Sequence, residues 1–149
     1  MTGERVLGVD LGSRRIGVAV TDATATLASP LTVIERSASR EADHRAIAEL
    51  CRAEGAQRIV VGLPLSLSGA VGPAAQAALE EVEAISAVVG VPVETYDERF
   101  TTVEANRSMV AANRSARARR RDIDKVAAAV MLQAWLERRA STSGRTVPR

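Results

Sequence analysis

Apolar residues alternate with small or polar ones over residues 5–11 and again over 16–21. That period of two is the mark of half-buried strands. Gly12-Ser13-Arg14-Arg15 between them is a short turn, so the two strands form an antiparallel hairpin. LASPLTVIE, residues 27–35, reads as a third strand, and Pro30, having no N–H, predicts an edge position or a bulge. From residue 40 the period changes. Residues 40–54 are charged and amphipathic, with Ile47, Leu50 and Cys51 on one side of a helix. A short buried strand, residues 58–62, stops at Gly62 and Pro64, and SLSGAVG follows as a loop. Pro73 opens a second helix, in which Ala75, Leu79, Val82, Ser86 and Val89 recur at helical spacing and which Gly90 ends. VPVETY, residues 91–96, is a fifth strand. Thr101 and Glu104 have capping-box spacing for a helix to about Ala112. Asp122 caps a final helix through about Arg139.

This order predicts an α/β fold built on a five-stranded mixed sheet. Three strands form an antiparallel meander, and two parallel strands are added through right-handed helical crossovers. Helices cover both faces. The 149 residues suit one domain, residues 1–140, with a disordered tail over 141–149. Apolar residues make up 46% and charged residues 26%, the proportions of a globular chain. No apolar run is long enough to span a bilayer, and the N-terminus lacks a signal-peptide layout, so a cytoplasmic location with no membrane partner is expected. The single cysteine, Cys51, rules out an internal disulfide framework and reads as a core thiol.

Charge is unevenly spread. Residues 1–97 carry 13 acids and 8 bases, whereas residues 98–149 carry 5 acids and 12 bases. The positive excess peaks in RSARARRR, residues 114–121, which reads as a loop between two helices. Arg117, Arg119, Arg120 and Arg121 there suit an anionic partner, above all the phosphates of a nucleic acid. Only Tyr96, Phe100 and Trp135 are aromatic, so a base-stacking platform is poorly supported.

The chemistry starts from Asp10, a carboxylate inside the apolar run VLGVDLG. A charged aspartate is rarely buried unpaired. Its partner is either an arginine or a metal ion shared with other carboxylates. Asp97 and Glu98 stand just past the last strand, and Asp122 and Asp124 open the last helix. Clustered carboxylates repel one another, and a hard divalent cation with oxygen ligands removes that penalty. The residue pattern alone does not choose between Asp97 and Glu98, or between Asp122 and Asp124. The one histidine, His44, lies in a charged helix and reads as a surface residue. There is no Cys/His spacing for zinc. Ser13 is a turn hydroxyl able to meet a phosphate. Arg99 is a candidate for substrate binding, as is Lys125, the only lysine, beside Asp124. Gly62, Pro64 and Gly69 shape a turn.

The strand VDLGSRRIGVAVTD, the turn VGLPLSLSG, the strand end DERFTT and the helix start DIDKVAAAVMLQ, in that order, resemble the YqgF family. Those ribonuclease H-like proteins are named both as Holliday junction resolvases and as pre-16S rRNA nucleases. The resemblance runs from about residue 5 to 138. It implies a ribonuclease H-like fold, Mg²⁺ or Mn²⁺ as cofactor, and nuclease activity, with the family's acidic positions on Asp10, Glu98 and Asp124 as catalytic residues and metal ligands. It favours pre-16S rRNA over a four-way DNA junction as substrate, and suggests that the Gly62–Gly69 loop borders the substrate groove. Two further classes compete. Actin-like and sugar-kinase ATPases also begin with DLGS, but they need two related lobes, and this length supplies one. A nucleic-acid-binding module without catalysis would use the arginines alone.

Overall fold

Alternation along the first two strands sends Leu7, Val9, Ile16, Val18 and Val20 to one face of a sheet and Val6, Gly8, Asp10, Gly17 and Ala19 to the other. The computed structural model describes residues 4–65, 68–100 and 116–146. The strands are β1 (Val6–Leu11), β2 (Arg15–Thr21), β3 (Ala28–Glu35), β4 (Arg58–Leu63) and β5 (Val93–Asp97). They pair in the order β3-β2-β1-β4-β5. The β1–β2 and β2–β3 pairs are antiparallel, and β1–β4 and β4–β5 are parallel. This is the expected meander plus two parallel strands, with β1 in the middle. β3 is an edge strand, and its register shifts at Val18/Ala19, where Pro30 stands opposite Ala19. The missing N–H of Pro30 is accommodated as expected.

Helices α1 (Arg40–Ala53) and α2 (Pro73–Val88) cover the first face. Ile47 and Cys51 of α1 and Ile85 of α2 pack against Leu7, Val9, Ile16, Val18, Ile59 and Val61. The Ser39 hydroxyl caps α1 by accepting from the Ala42 N–H at 3.1 Å. A third helix, α3 (Ala116–Thr146), lies on the other face, where Ala128, Leu132 and Trp135 meet Val6, Ala19 and Val60. Its Gln133 side chain accepts from the Ala28 N–H of β3 at 2.8 Å. None of the described helices is long and apolar enough to cross a membrane.

Three expectations are corrected. The last helix starts at Ala116, so Asp122 sits within it and is not its N-cap. Arg117, Arg119, Arg120 and Arg121 accordingly lie on the opening turns of α3 rather than in a connecting loop; their side chains lie outside the described residues. α3 also continues to Thr146, past Arg139 and through most of the segment expected as a disordered tail. A run rich in alanine and arginine has high helix propensity, which favours this early start over the capping signal at Asp122. The helix expected over residues 101–112 lies outside the described residues.

α3 approaches the sheet at backbone distance. A Cβ added at Gly8 would stand 2.9 Å from Leu132 Cβ, and one at Gly17 would overlap the Asp124 carbonyl. The two glycines are what let the helix lie so low. Gly17→Ala is therefore expected to lower stability by about 3 kcal/mol, the upper end for forcing atoms into a packed interface. In thermal melting that is a fall of roughly 6–12 °C. Gly90→Ala, with nothing within 4 Å of the added carbon, should melt like the wild type.

Candidate active site

Asp10 is one residue short of the C-terminal end of β1, partly buried, on the face that α3 covers. Its strand neighbours are glycines. Gly17 of β2 pairs directly with it, and Gly62 of β4 follows Val61, the partner of Val9. Neither glycine has a side chain to fill the space beside Asp10, and other carboxylates occupy that space. Above Gly17 runs the backbone of Asp124. Above Gly62 folds the side chain of Glu98, whose Oε2 would lie 2.6 Å from a Cβ at that position. Glu98 itself opens a 3-10 turn, Glu98–Phe100, directly after β5. Three elements far apart in sequence thus bring Asp10, Glu98 and Asp124 together.

Asp97 and Glu98 part company at the strand end. The Asp97 carboxylate accepts from the Arg99 backbone N–H at 2.9 Å and from Arg99 Nε, and the guanidinium holds it below the usual aspartate range. Glu98, not Asp97, faces Asp10. Arg99 is exposed and lies against the turn at Gly69, whose φ of +88° favours glycine. Gly62 is not a turn residue; it lies inside β4 and makes room for Glu98.

The electrostatics follow from this crowding. Burial raises the Asp10 carboxyl first, and the charges of Glu98 and Asp124 raise it further, to about 7. Glu98 is also raised, by burial and then by the nearby Asp97 charge, and a hydrogen bond joins it to Asp10. Asp124 is balanced differently: Arg15 Nε donates to its Oδ2 at 2.8 Å. Among the described residues no three His, Cys, Asp or Glu side chains stand ready to ligate a metal as they are. The donor set itself, carboxylate oxygen throughout, is the one that hard divalent cations take.

Ser13 is exposed in the hairpin turn, and Lys125 is partly buried next to Asp124. Sequence reasoning misses Arg15, which is separated from Asp124 by more than a hundred positions and carries no local signal of the pairing. It also misplaces His44. That residue is 4% exposed, and its Nε2 lies 2.8 Å from Oε2 of Glu81, itself 4% exposed. Arg36 grips the same carboxylate with both terminal nitrogens, at 2.6 and 3.0 Å, and its Nε donates to the Gly12 carbonyl at 2.8 Å. A buried ion cluster under the sheet therefore fastens the β1–β2 turn at the edge of the acidic site. The charged stretch around His44 suggests solvent because the acid that receives it lies 37 residues away.

Residues 4–138 match the RuvX family, described as Holliday junction resolvase. A protein of Desulforudis audaxviator named "Putative pre-16S rRNA nuclease" is 43% identical over 137 residues, covering 92% of this chain and 96% of the relative. Relatives of the same name from Anaeromyxobacter sp. (strain K) and Gluconobacter oxydans are 46% and 44% identical, covering 91% of this chain in each case and 98% and 85% of the relatives. Among solved structures, Thermus thermophilus RuvC in complex with Holliday junction substrate superposes with a TM-score of 0.59 at 19% identity, covering 94% of this chain and 98% of that one. That likeness shows the ribonuclease H-like fold. Matched to the family model over residues 4–138 and to these relatives over nine-tenths of its length, the chain belongs to the RuvX family, also called YqgF, and is a nuclease.

Proposed function

We propose that this nuclease hydrolyses phosphodiester bonds of pre-16S rRNA during 5′-end processing in ribosome biogenesis, in the cytoplasm, with Mg²⁺ or Mn²⁺ as cofactor. The observation that carries the reading is the convergence of Asp10, Glu98 and Asp124 on one face at the end of the central strand. The names carried by the relatives favour pre-16S rRNA. Bound divalent ions would be held by these carboxylates, activate a water and stabilise the leaving oxygen.

The chain's own groups do the rest. Asp10, Glu98 and Asp124 would hold the ion through their carboxylate oxygens. Arg99, Lys125 and Ser13 lie near the acids and serve the substrate's phosphates. Arg117, Arg119, Arg120 and Arg121, on the opening turns of the helix that carries Asp124, grip the backbone further out. The family description supports a four-way DNA junction as the second substrate. Cleavage of labelled pre-16S leader, single-stranded RNA and a four-way junction, with each metal and with chelator, decides between them. A junction cut faster than leader RNA overturns the RNA assignment.

Asp10→Asn keeps the shape and loses the charge, so it should fold and cleave nothing measurable in Mg²⁺ or Mn²⁺. Glu98→Gln and Asp124→Asn should behave alike. Full activity in any of them, or in chelator, contradicts the assignment.

Stability against pH checks the same cluster. Unfolded, Asp10 ionises near 4. Folded, it keeps its proton to about 7. Across that window the folded state binds more protons, so this group's contribution to stability falls as pH rises. The melting temperature of metal-free wild type should therefore drop relative to that of Asp10→Asn between pH 4 and 8. Added Mg²⁺ or Mn²⁺ should close the gap by binding the folded wild type. A gap that shrinks with rising pH would mean that Asp10 is stabilised as an ion.

Alanine at Arg117, Arg119, Arg120 and Arg121 should weaken binding to every nucleic acid tested. The slope of log affinity against log salt should flatten by up to roughly 0.7 for each phosphate of a single strand that is no longer neutralised. Turnover at saturating substrate should change far less. An unchanged slope places the phosphate path elsewhere.

A further inference from the structure

We infer that Arg15 is a further catalytic residue of this centre: it holds Asp124 while the acids carry no cation, and when Asp124 turns to a cation its guanidinium passes to the substrate's phosphate. The inference rests on the nuclease reading above.

Placement comes first. Arg15 begins β2, two residues before Gly17, on the same face as Asp10. Because Gly17 pairs with Asp10, Arg15 is Asp10's diagonal neighbour, about 7–8 Å away by sheet geometry. The side chain therefore starts at the rim of the acidic site and is long enough to reach over it. At present it reaches Asp124 through Nε, at 2.8 Å. The terminal nitrogens form the fork that matches phosphate oxygens in pairs.

The pair is built to exchange. Both side chains are partly exposed, 23% for Arg15 and 31% for Asp124. Such ion pairs contribute about 1 kcal/mol or less, so a divalent ion drawn by all three acids displaces the arginine easily. Three carboxylates converge here, and the Arg15 guanidinium is the cation paired with Asp124. A divalent cation held by all three takes over that pairing, and the freed guanidinium is left beside the place where the phosphate must sit.

The backbone beneath it does not move with it. The Gly12 N–H donates to the Arg15 carbonyl at 3.0 Å, and the Arg36 N–H donates to the Arg14 carbonyl at 2.9 Å. Arg36 also holds the Gly12 carbonyl while Glu81 and His44 hold Arg36. Arg15 thus swings from a clamped turn, and only its side chain changes partner.

A merely structural ion pair predicts that removing Arg15 weakens everything. This inference predicts opposite signs. Mn²⁺ is titrated into the full-length chain and followed by electron paramagnetic resonance, and cleavage of the RNA leader is measured at saturating Mn²⁺. Arg15→Gln removes the competitor for Asp124, so Mn²⁺ should bind about fivefold tighter, the size of one partly exposed ion pair. Turnover should fall about a hundredfold, as when one preorganised donor to transition-state charge is removed. RNA affinity should change little. Arg15→Lys, which keeps the charge without the fork, should bind Mn²⁺ like wild type and turn over at an intermediate rate, which guards against a folding defect in the glutamine variant. Weaker or unchanged Mn²⁺ binding in Arg15→Gln, or wild-type turnover, overturns the inference while a metal-binding, cleaving wild type leaves the nuclease reading standing. A wild type that binds no Mn²⁺ and cleaves neither RNA nor junction overturns both.

Discussion

The close approach of α3 to the sheet is the constraint on which the site depends. A helix resting on ordinary side chains would stand too far from β1 and β2 to place Asp124 beside Asp10. Gly8 and Gly17 remove the carbon atoms that would hold it off, and Leu132 and the Asp124 carbonyl take their place. Gly62 does the same for Glu98 from the other side. The acidic centre is therefore a set of three side chains admitted by missing side chains. Its geometry is fixed by packing, which is stiff, rather than by hydrogen bonds among the acids, which repel.

That repulsion is the second organising influence. Folding gathers acids that electrostatics would separate: burial and the charges of Glu98 and Asp124 push the Asp10 carboxyl up, and an arginine pairs with Asp124. On the opposite face the conflict is absent, because the buried Glu81 meets Arg36 and His44 in a hydrogen-bonded cluster. One carboxylate is neutralised permanently and serves as structure.

How much of this is legible in the sequence follows the range of the signal. Period-two alternation marks the strands and their meander, because each strand's pattern is local and Pro30 marks its own edge. Asp10 stands out because it interrupts an apolar run. The choice of Glu98 over Asp97 comes from family resemblance alone; its physical cause, Gly62 beneath Glu98 and Arg99 drawing Asp97 away, exists only in three dimensions. The start of α3 escapes because a capping residue at Asp122 is a weaker influence than an alanine- and arginine-rich run that propagates the helix from Ala116. Arg15 and His44 escape for one reason: each is defined by a partner remote in sequence, at Asp124 and Glu81.

The order of the acids along the chain gives the site a property in time as well as in space. Asp10 lies on the first strand and Asp124 on the last helix, so the whole α/β sheet must be threaded and closed before the acids meet. Pairings of such long range form late, since a large loop must be closed to make them. A chain whose last helix has not docked on the sheet therefore lacks the assembled set of acids. The acidic centre is complete only when the fold is complete.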